Sequence, residues 1–302
     1  MKKEMPKKIF VVGLGNMGFA LANTLLLKGY RLTVWNRTRS KAQPLIEQGA
    51  FLAESVAEGI SNNDVIVICL GNYQDSINVF DQCASFSGKT LIQLTTASGE
   101  EATDMQNWVQ QKDGLYLDGA ILAFPSGVGS QECRLLVAGR QEAWTGGEEV
   151  VKALGPASQY MGDNVAGPAA LDFALIFPSL ALMMSVIQGI HSLEGTGVST
   201  ETYIEMVAPI FGPFGLTIKQ MTEKIEGEAF SDTEAALGVW QAAIEHHISS
   251  FRREGKNVDL VDAVNDLLKG GVANGLGAED LTALIKHLRK PVSQSGTTAP
   301  SN

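Results

Sequence analysis

Hydrophobic positions follow two regimes along this chain, and the change comes near residue 164. Before it, short apolar runs alternate with amphipathic stretches. Lys8-Ile-Phe-Val-Val12, Arg31-Leu-Thr-Val-Trp35, residues 50–53, Asp64-Val-Ile-Val-Ile-Cys-Leu70 and Lys89-Thr-Leu-Ile-Gln-Leu94 are short and rich in β-branched residues, the pattern of buried parallel strands. Helical spacing separates them, carried first by Ala20, Leu21, Thr24, Leu25 and Lys28, then over Ser40–Gln48 and Ser55–Asn62. Leu115 onward reads as a strand running into a glycine- and proline-rich loop, Arg134–Ala138 as a strand, Gln141–Leu154 as a helix and Gln159–Met161 as an edge strand. This alternation predicts an α/β fold whose N-terminal domain, residues 1–163, is of the Rossmann type.

From Asn164 to Thr196 the chain is almost uncharged and apolar nearly all round. As one helix of about 28 residues it would form a rod of about 42 Å, too apolar to stand in water without cover from its own chain or a second copy. Pro168 suits its first turn, and Pro178 removes a backbone donor within it and predicts a kink. Beyond Gly195-Thr-Gly197 only helical patterns follow. Ser199 is expected to cap one of them, Pro209, Gly212, Pro213 and Gly215 to break or bend it, and Ser231-Asp-Thr-Glu234 to form a capping box for a helix reaching Arg253. Helices over 257–269 and 278–290 complete an all-helical C-terminal domain, 197–290, joined by the interdomain helix 164–196; the polar tail 291–302 is expected to be disordered.

Chemistry concentrates where strands end. Gly13-Leu-Gly-Asn-Met-Gly18 directly follows the first strand and opens a helix, the context in which GxGxxG binds a dinucleotide. Gly13 allows the tight turn, Gly15 the approach of a pyrophosphate, and Gly18 close helix–strand packing, while the N–H groups at the helix start face the phosphates. Gly13, Leu14, Gly15, Asn16 and Met17 are the loop positions expected at the cofactor. After the second strand, a cofactor without a 2′-phosphate would usually meet an acid. Asn36, Arg37, Thr38 and Lys41 stand there instead and favour the phosphorylated cofactor, NADPH. Leu70 and Thr95, at the ends of two further strands, complete the expected cofactor contacts, and Thr96 is expected at nicotinamide or substrate. Ser98 and Glu101 have capping-box spacing as well. Asp172 is the one carboxylate in the first half of the long apolar segment, between Leu171 and Phe173, and is the catalytic candidate. Apolar neighbours, Phe177 among them, would raise its pKa, whereas a helix N-terminus would lower it.

Composition narrows the partners. With 33 acidic against 23 basic residues the net charge is −10, which argues against nucleic acid and anionic membrane surfaces. Three scattered cysteines match no metal or redox spacing and suit a reducing cytoplasm. The amino end imitates a signal peptide, but glycines and an asparagine interrupt its apolar run and no cleavage pattern follows. Residues 164–193 have the length of a membrane span, yet Pro168, Asp172, Pro178, Gln188 and His191 favour a buried interface helix. His246-His247 diverge on a helix by about 100°, so no metal site is expected, and no serine sits in a GxSxG elbow.

The glycine loop, Trp35-Asn-Arg-Thr38 with Lys41, Leu94-Thr-Thr-Ala-Ser-Gly-Glu-Glu-Ala102, Tyr116-Leu-Asp-Gly-Ala-Ile121 and Gly167-Pro-Ala-Ala-Leu-Asp-Phe-Ala-Leu175 together resemble the imine reductase family and its reductive aminases, over residues 8 to about 290. The resemblance implies NADPH-dependent reduction of cyclic imines or iminium ions to amines, with reductive amination as a further activity. It also implies a homodimer with swapped helical domains, each active site lying between one chain's nucleotide domain and its partner's bundle. Asp172 aligns with the family's catalytic Asp, although Leu171 stands where the family usually has Tyr. Phe211, Phe214 and Gln241 align with substrate-pocket positions, and Phe177 is expected to line that pocket as well. The related β-hydroxyacid dehydrogenases place a lysine early in the long helix, whereas this chain has none between Lys152 and Lys219. A carbonyl-reducing relative and a non-catalytic NADPH sensor are the alternative readings.

Overall fold

The structure is a computed structural model that describes residues 7–211 and 214–290. It divides into two compact units, Met1–Pro178 and Ser179–Asn302, and the division between them falls inside the long helix.

In the first unit, strands and helices alternate as the apolar pattern requires: β1 (Lys8–Val12), α1 (Asn16–Leu27), β2 (Arg31–Trp35), α2 (Gln43–Glu47), β3 (Phe51–Leu52), α3 (Val56–Asn62), β4 (Val65–Ile68), α4 (Tyr73–Phe80), β5 (Thr90–Gln93), α5 (Gly99–Gln111), β6 (Leu115–Leu122), β7 (Arg134–Ala138), α6 (Gln141–Leu154) and β8 (Gln159–Tyr160). The sheet order is β3-β2-β1-β4-β5-β6-β7-β8. Neighbouring strands are parallel except β6 and β7. Successive strand residues face opposite sides of the sheet, so each side carries its own core. Ile9, Val11, Val65 and Val67 pack with α1 and α6 through Leu21, Leu25, Trp144 and Val150. Phe10, Val12, Ile66 and Ile68 pack on the other side with Phe80, Met105 and Val109. Strand order reverses between β1 and β4, which opens a crevice at their carboxyl ends where ligands of such sheets bind.

The long helix, α7 (Ala166–Leu193), has the expected 28 residues and continues across Pro178. Its most apolar 18-residue window has a mean hydropathy of 2.0. Only Pro168 and Asp172 are buried along it.

The second unit holds α8 (Thr200–Phe211), α9 (Phe214–Glu226), α10 (Leu237–Arg253), α11 (Asp259–Gly271) and α12 (Leu284–Leu288). Ser199 caps α8, its Oγ accepting from Thr202 N–H at 3.1 Å. The expected capping box at Ser231–Glu234 does not form, because α10 begins only at Leu237 with no side-chain cap. Thr233 Oγ1 bonds Ala235 instead, and Ala236 pairs with Asp280 in an antiparallel bridge that holds this segment extended. The expected helix over 278–290 is reduced to a 3₁₀ turn, Leu281–Ala283, followed by α12. The tail 291–302 lies outside the described residues.

Candidate active site

The glycine loop is fixed by contacts that tolerate no side chain. Gly13 has φ +98°, and a Cβ there would overlap the Cys69 carbonyl oxygen; one on Gly18 would overlap the carbonyl oxygen of Gly13. Around Gly15 a Cβ would meet nothing within 4 Å, which leaves open space at the mouth of α1. Gly15 is the N-cap of that helix, without a side-chain cap and with no acid in the first turn, so the first N–H groups remain available to an anion. Asn36 braces the loop: its Oδ1 accepts from Leu14 N–H at 2.9 Å and its Nδ2 donates to the Thr38 carbonyl at 2.9 Å. Leu14 itself is buried in the core and does not line the crevice.

A cavity of about 560 Å³ follows the crevice, lined by Gly13, Gly15–Gly18, Trp35–Thr38 and Lys41 on one side and by Cys69–Gly71, Asp75, Asn78 and Val79 on the other. Its cations are uncommitted. Among the described residues no hydrogen bond or ion pair reaches the side chains of Arg37 or Lys41, whereas Arg39 between them forms a two-pronged pair with Glu54, 2.9 Å on each arm. Two free cations on a cavity that begins at an open helix N-terminus fit a dinucleotide carrying an additional phosphate.

At Met17, Cys69 and Leu70 this cavity meets a second one of about 270 Å³. Leu94–Ala97, Asp118–Ile121, Ala169, Asp172 and Ile176 complete its walls. Thr95 is committed to the framework: its hydroxyl accepts from Leu70 N–H at 3.0 Å and donates to Gln93 Oε1 at 2.9 Å, and Gln93 Nε2 donates to Ser76 Oγ at 3.0 Å. This buried chain sets the exit loop of β4. Thr96, next to it, is exposed and faces the cavity.

Asp172 is 8% exposed, and burial pushes its carboxyl above the usual carboxylate range. It is the seventh residue of α7, beyond the turn in which the helix N-terminus would lower it. The aromatic neighbours do not join it at the cavity. Phe173 and Phe177 are 69% and 59% exposed and stack on each other at 5.8 Å, one helical turn apart on an outer face; Ala169 and Ile176 supply the apolar wall. Phe177 therefore does not line the cavity. In the second unit, Gln241 Nε2 donates to Glu245 at 2.7 Å and to Asn265 at 3.4 Å. Phe211 closes α8 and Phe214 opens α9, but their side chains lie outside the described residues.

The sequence reading missed Asp118. It is 2% exposed, lines the same cavity as Asp172, and accepts hydrogen bonds at Oδ2 from Tyr116 at 2.6 Å and from Tyr73. Burial lifts its pKa to about 6 against the opposing pull of the two hydroxyls. An acid in the middle of an otherwise apolar strand, with Tyr at i−2, was the available signal.

Known proteins match both halves of the chain. Residues 8–162 match the family of the NAD binding domain of 6-phosphogluconate dehydrogenase, and residues 165–290 match the NADPH-dependent reductive aminase-like C-terminal domain. An NADPH-dependent reductive aminase of Aspergillus oryzae is 31% identical, over 94% of this chain and 98% of its own length. An imine reductase from Myxococcus stipitatus, solved with NADP+, is 29% identical with a TM-score of 0.87, over 93% of this chain and 100% of that one. A reductive aminase from Aspergillus terreus, solved with NADPH4, cyclohexanone and allyl amine, is 26% identical with a TM-score of 0.86, over 94% and 100%.

Proposed function

The chain belongs to the NADPH-dependent reductive aminase family, and we propose that its active site is the cavity in which Asp172 faces Met17 and Leu70. The enzyme reduces the C=N bond of imines and iminium ions to amines with NADPH. The observation that supports this placement is the junction of the two cavities at Met17, Cys69 and Leu70, which joins a phosphate-binding crevice to a small chamber with a buried acid.

The bound cofactor supplies the hydride. Everything else falls to the chain's own residues. The open backbone at Gly15 and the uncapped start of α1 would receive the pyrophosphate, and Arg37, Thr38 and Lys41 would hold the 2′-phosphate. Met17, Leu70 and the Thr95-braced loop shape the passage into the chamber, where apolar walls exclude water and strengthen any charge interaction. Asp172 lines the chamber in which the substrate nitrogen would sit. Ionised, it stabilises an iminium cation; protonated, it donates to a neutral imine, and its raised pKa keeps the proton available at higher pH than an ordinary aspartate would. No lysine stands in α7 to polarise a carbonyl in the way a hydroxyacid dehydrogenase requires.

A second copy of the chain is the proposed partner. A helix of 28 residues on which only Pro168 and Asp172 are buried calls for cover, and the partner's helical unit, through positions such as Gln241 and the segment at Phe211–Phe214, would close the substrate side. The thiols are unpaired, and the reducing cytoplasm is the proposed compartment. NADPH consumption with 2-methyl-1-pyrroline, run beside a panel of keto and hydroxy acids, tests the assignment. Turnover of the imine alone is the expected result; turnover of an acid alone would transfer the chain to carbonyl chemistry.

A further inference from the structure

Asp118 is a second carboxyl in the chamber, and the hydride step does not need it. In β6 it stands in register with Gln93 of β5 and Ala138 of β7, at the carboxyl end of the parallel strands. Two hydroxyls converge on a single oxygen: Tyr116, from the same strand, and Tyr73, from the first turn of α4, both donate to Oδ2. Among the described residues no donor reaches Oδ1, and Asp118 lines the wall of the cavity. A buried acid that serves only the framework is normally satisfied at both oxygens. This one is held at one oxygen and left free at the other, inside the chamber that carries Asp172.

We propose that Asp118 is the general acid–base of a condensation step that precedes reduction, in which a ketone and an alkylammonium ion become an iminium ion. The proposal rests on the reading that this chamber reduces C=N bonds. An alkylammonium ion resembles a lysine side chain, with a pKa near about 10, so at neutral pH its nitrogen has no free electron pair. Asp118 Oδ1 takes one N–H proton and liberates the amine. The nitrogen pair attacks the carbonyl carbon, the C=O π pair moves to oxygen, and an N–H proton passes to that oxygen to give a carbinolamine. Asp118 returns its proton to the hydroxyl, the C–O bond breaks, water leaves, and the nitrogen pair closes the C=N bond. Ketone plus ammonium gives iminium plus water, nothing is oxidised or reduced, and the carboxylate is regenerated. The iminium then meets Asp172.

The surroundings suit that duty. A carboxyl of ordinary strength is a poor base toward ammonium, and a value of about 6 lies closer to the working pH. Tyr73 and Tyr116 are both pushed above the usual phenol range by burial, so they remain protonated donors throughout. The other groups facing this cluster are Glu101 of α5, which acts on Tyr73, Asp172 of α7 and the neutral Gln93 of β5. No cation among the described residues reaches it.

The test separates the two halves of the reaction in full-length protein at saturating NADPH. Cyclohexanone with allylamine requires condensation, whereas 2-methyl-1-pyrroline is already an imine. Asp118→Asn keeps an acceptor for both tyrosine hydroxyls. It is expected to lower kcat for coupling by about 100-fold, at least about tenfold more than it lowers kcat on the pyrroline, and to remove the acid limb of the coupling pH profile. Tyr73→Phe keeps the carboxyl but deletes a donor that lowers its pKa, so coupling persists and its acid limb moves to higher pH. Equal losses on both substrates, no loss on either, or an acid limb that survives in the Asn variant would each overturn the role. Wild-type protein that reduces the pyrroline without coupling would overturn it and leave the reductase reading intact. Failure of the wild type on both substrates would defeat that reading, and this role with it.

Discussion

Gly99 lies against Ala166, so close that a Cβ on the glycine would stand 2.8 Å from the alanine Cβ. The contact joins the first residue of α5 to the first residue of α7, upstream of Asp172. The start of α5 is itself fixed: Ser98 Oγ accepts from Glu101 N–H at 3.2 Å, and Glu101 Oε2 accepts from Ser98 N–H at 2.9 Å, a reciprocal cap that holds the helix end firmly. A bulkier residue at 99 must therefore displace α7. Gly99→Val is expected to reduce kcat on an imine by about tenfold, since a displacement approaching 1 Å at a reacting group is costly. The dissociation constant for NADPH should not change, because neither residue lines the phosphate crevice; steady-state kinetics and a cofactor titration measure both.

The cofactor preference depends on two cations. Arg37→Ala and Lys41→Ala are each expected to raise KM for NADPH by about tenfold or more, the loss typical of a charge-assisted hydrogen bond, with little change in KM for NADH. Arg39→Ala serves as the control. Its guanidinium is engaged by Glu54 on the surface, and its removal should leave both constants in place. Equal responses to all three substitutions would mean a general field of positive charge and not a phosphate site.

How far the sequence disclosed this arrangement depended on whether the partners of each residue are near in the chain. Arg134–Ala138 and Gln141–Leu154 were read with their observed bounds, because alternation and helical spacing are local signals. The glycine loop was legible for the same reason. Ser231–Glu234 misled because a distant strand-like pairing, Ala236 with Asp280, outcompeted a local cap. Thr95 was read as a ligand contact and does line the chamber, but no pattern announces that its hydroxyl also bonds Leu70 and Gln93. Asp118 was overlooked since its donor Tyr73 is 45 residues away. Phe177 was placed near the acid by sequence proximity, but five residues along a helix turn it well away from Asp172.

Asp172 is the residue on which imine reduction should depend most. Asp172→Ala is expected to lower kcat/KM on 2-methyl-1-pyrroline by about 100-fold or more, the range for a group that donates a proton or meets developing charge. NADPH affinity, measured by fluorescence titration, should stay within about twofold, because the carboxyl stands outside the phosphate crevice. Its raised pKa gives a direction as well. If Asp172 acts as the donor, activity on a neutral imine falls as pH climbs through the folded-state value, which lies above that of an ordinary aspartate.

The exposed face of α7 predicts an assembly. Ile187 is 67% exposed, and under a second copy it would be buried. Ile187→Asp places a charge there without an obvious cation to meet it, at a cost of about 3 kcal/mol or more, which is about 100-fold in the dimer dissociation constant. Light scattering should show wild-type dimers and variant monomers, the latter still binding NADPH but without imine turnover. An unchanged mass in the variant would remove α7 from the interface.

Asp118 also leaves a mark on stability that does not depend on its chemistry. Its folded pKa of about 6 lies above the ordinary aspartate value, so ionising it costs more in the folded protein than in the unfolded chain. That cost is absent at low pH, where the carboxyl is neutral in both states. It grows as pH rises past the unfolded value and is complete once the folded value is passed. Asparagine has no such cost at any pH. Between about pH 4.5 and pH 7 the stability of Asp118→Asn should therefore gain on wild type by about 2 kcal/mol, the amount that a shift of about two units yields across that window. Taking the variant minus wild-type difference cancels the other titrating groups. Urea unfolding midpoints at the two pH values measure it, and a difference that stays flat would mean that Asp118 ionises as readily inside the chamber as in water.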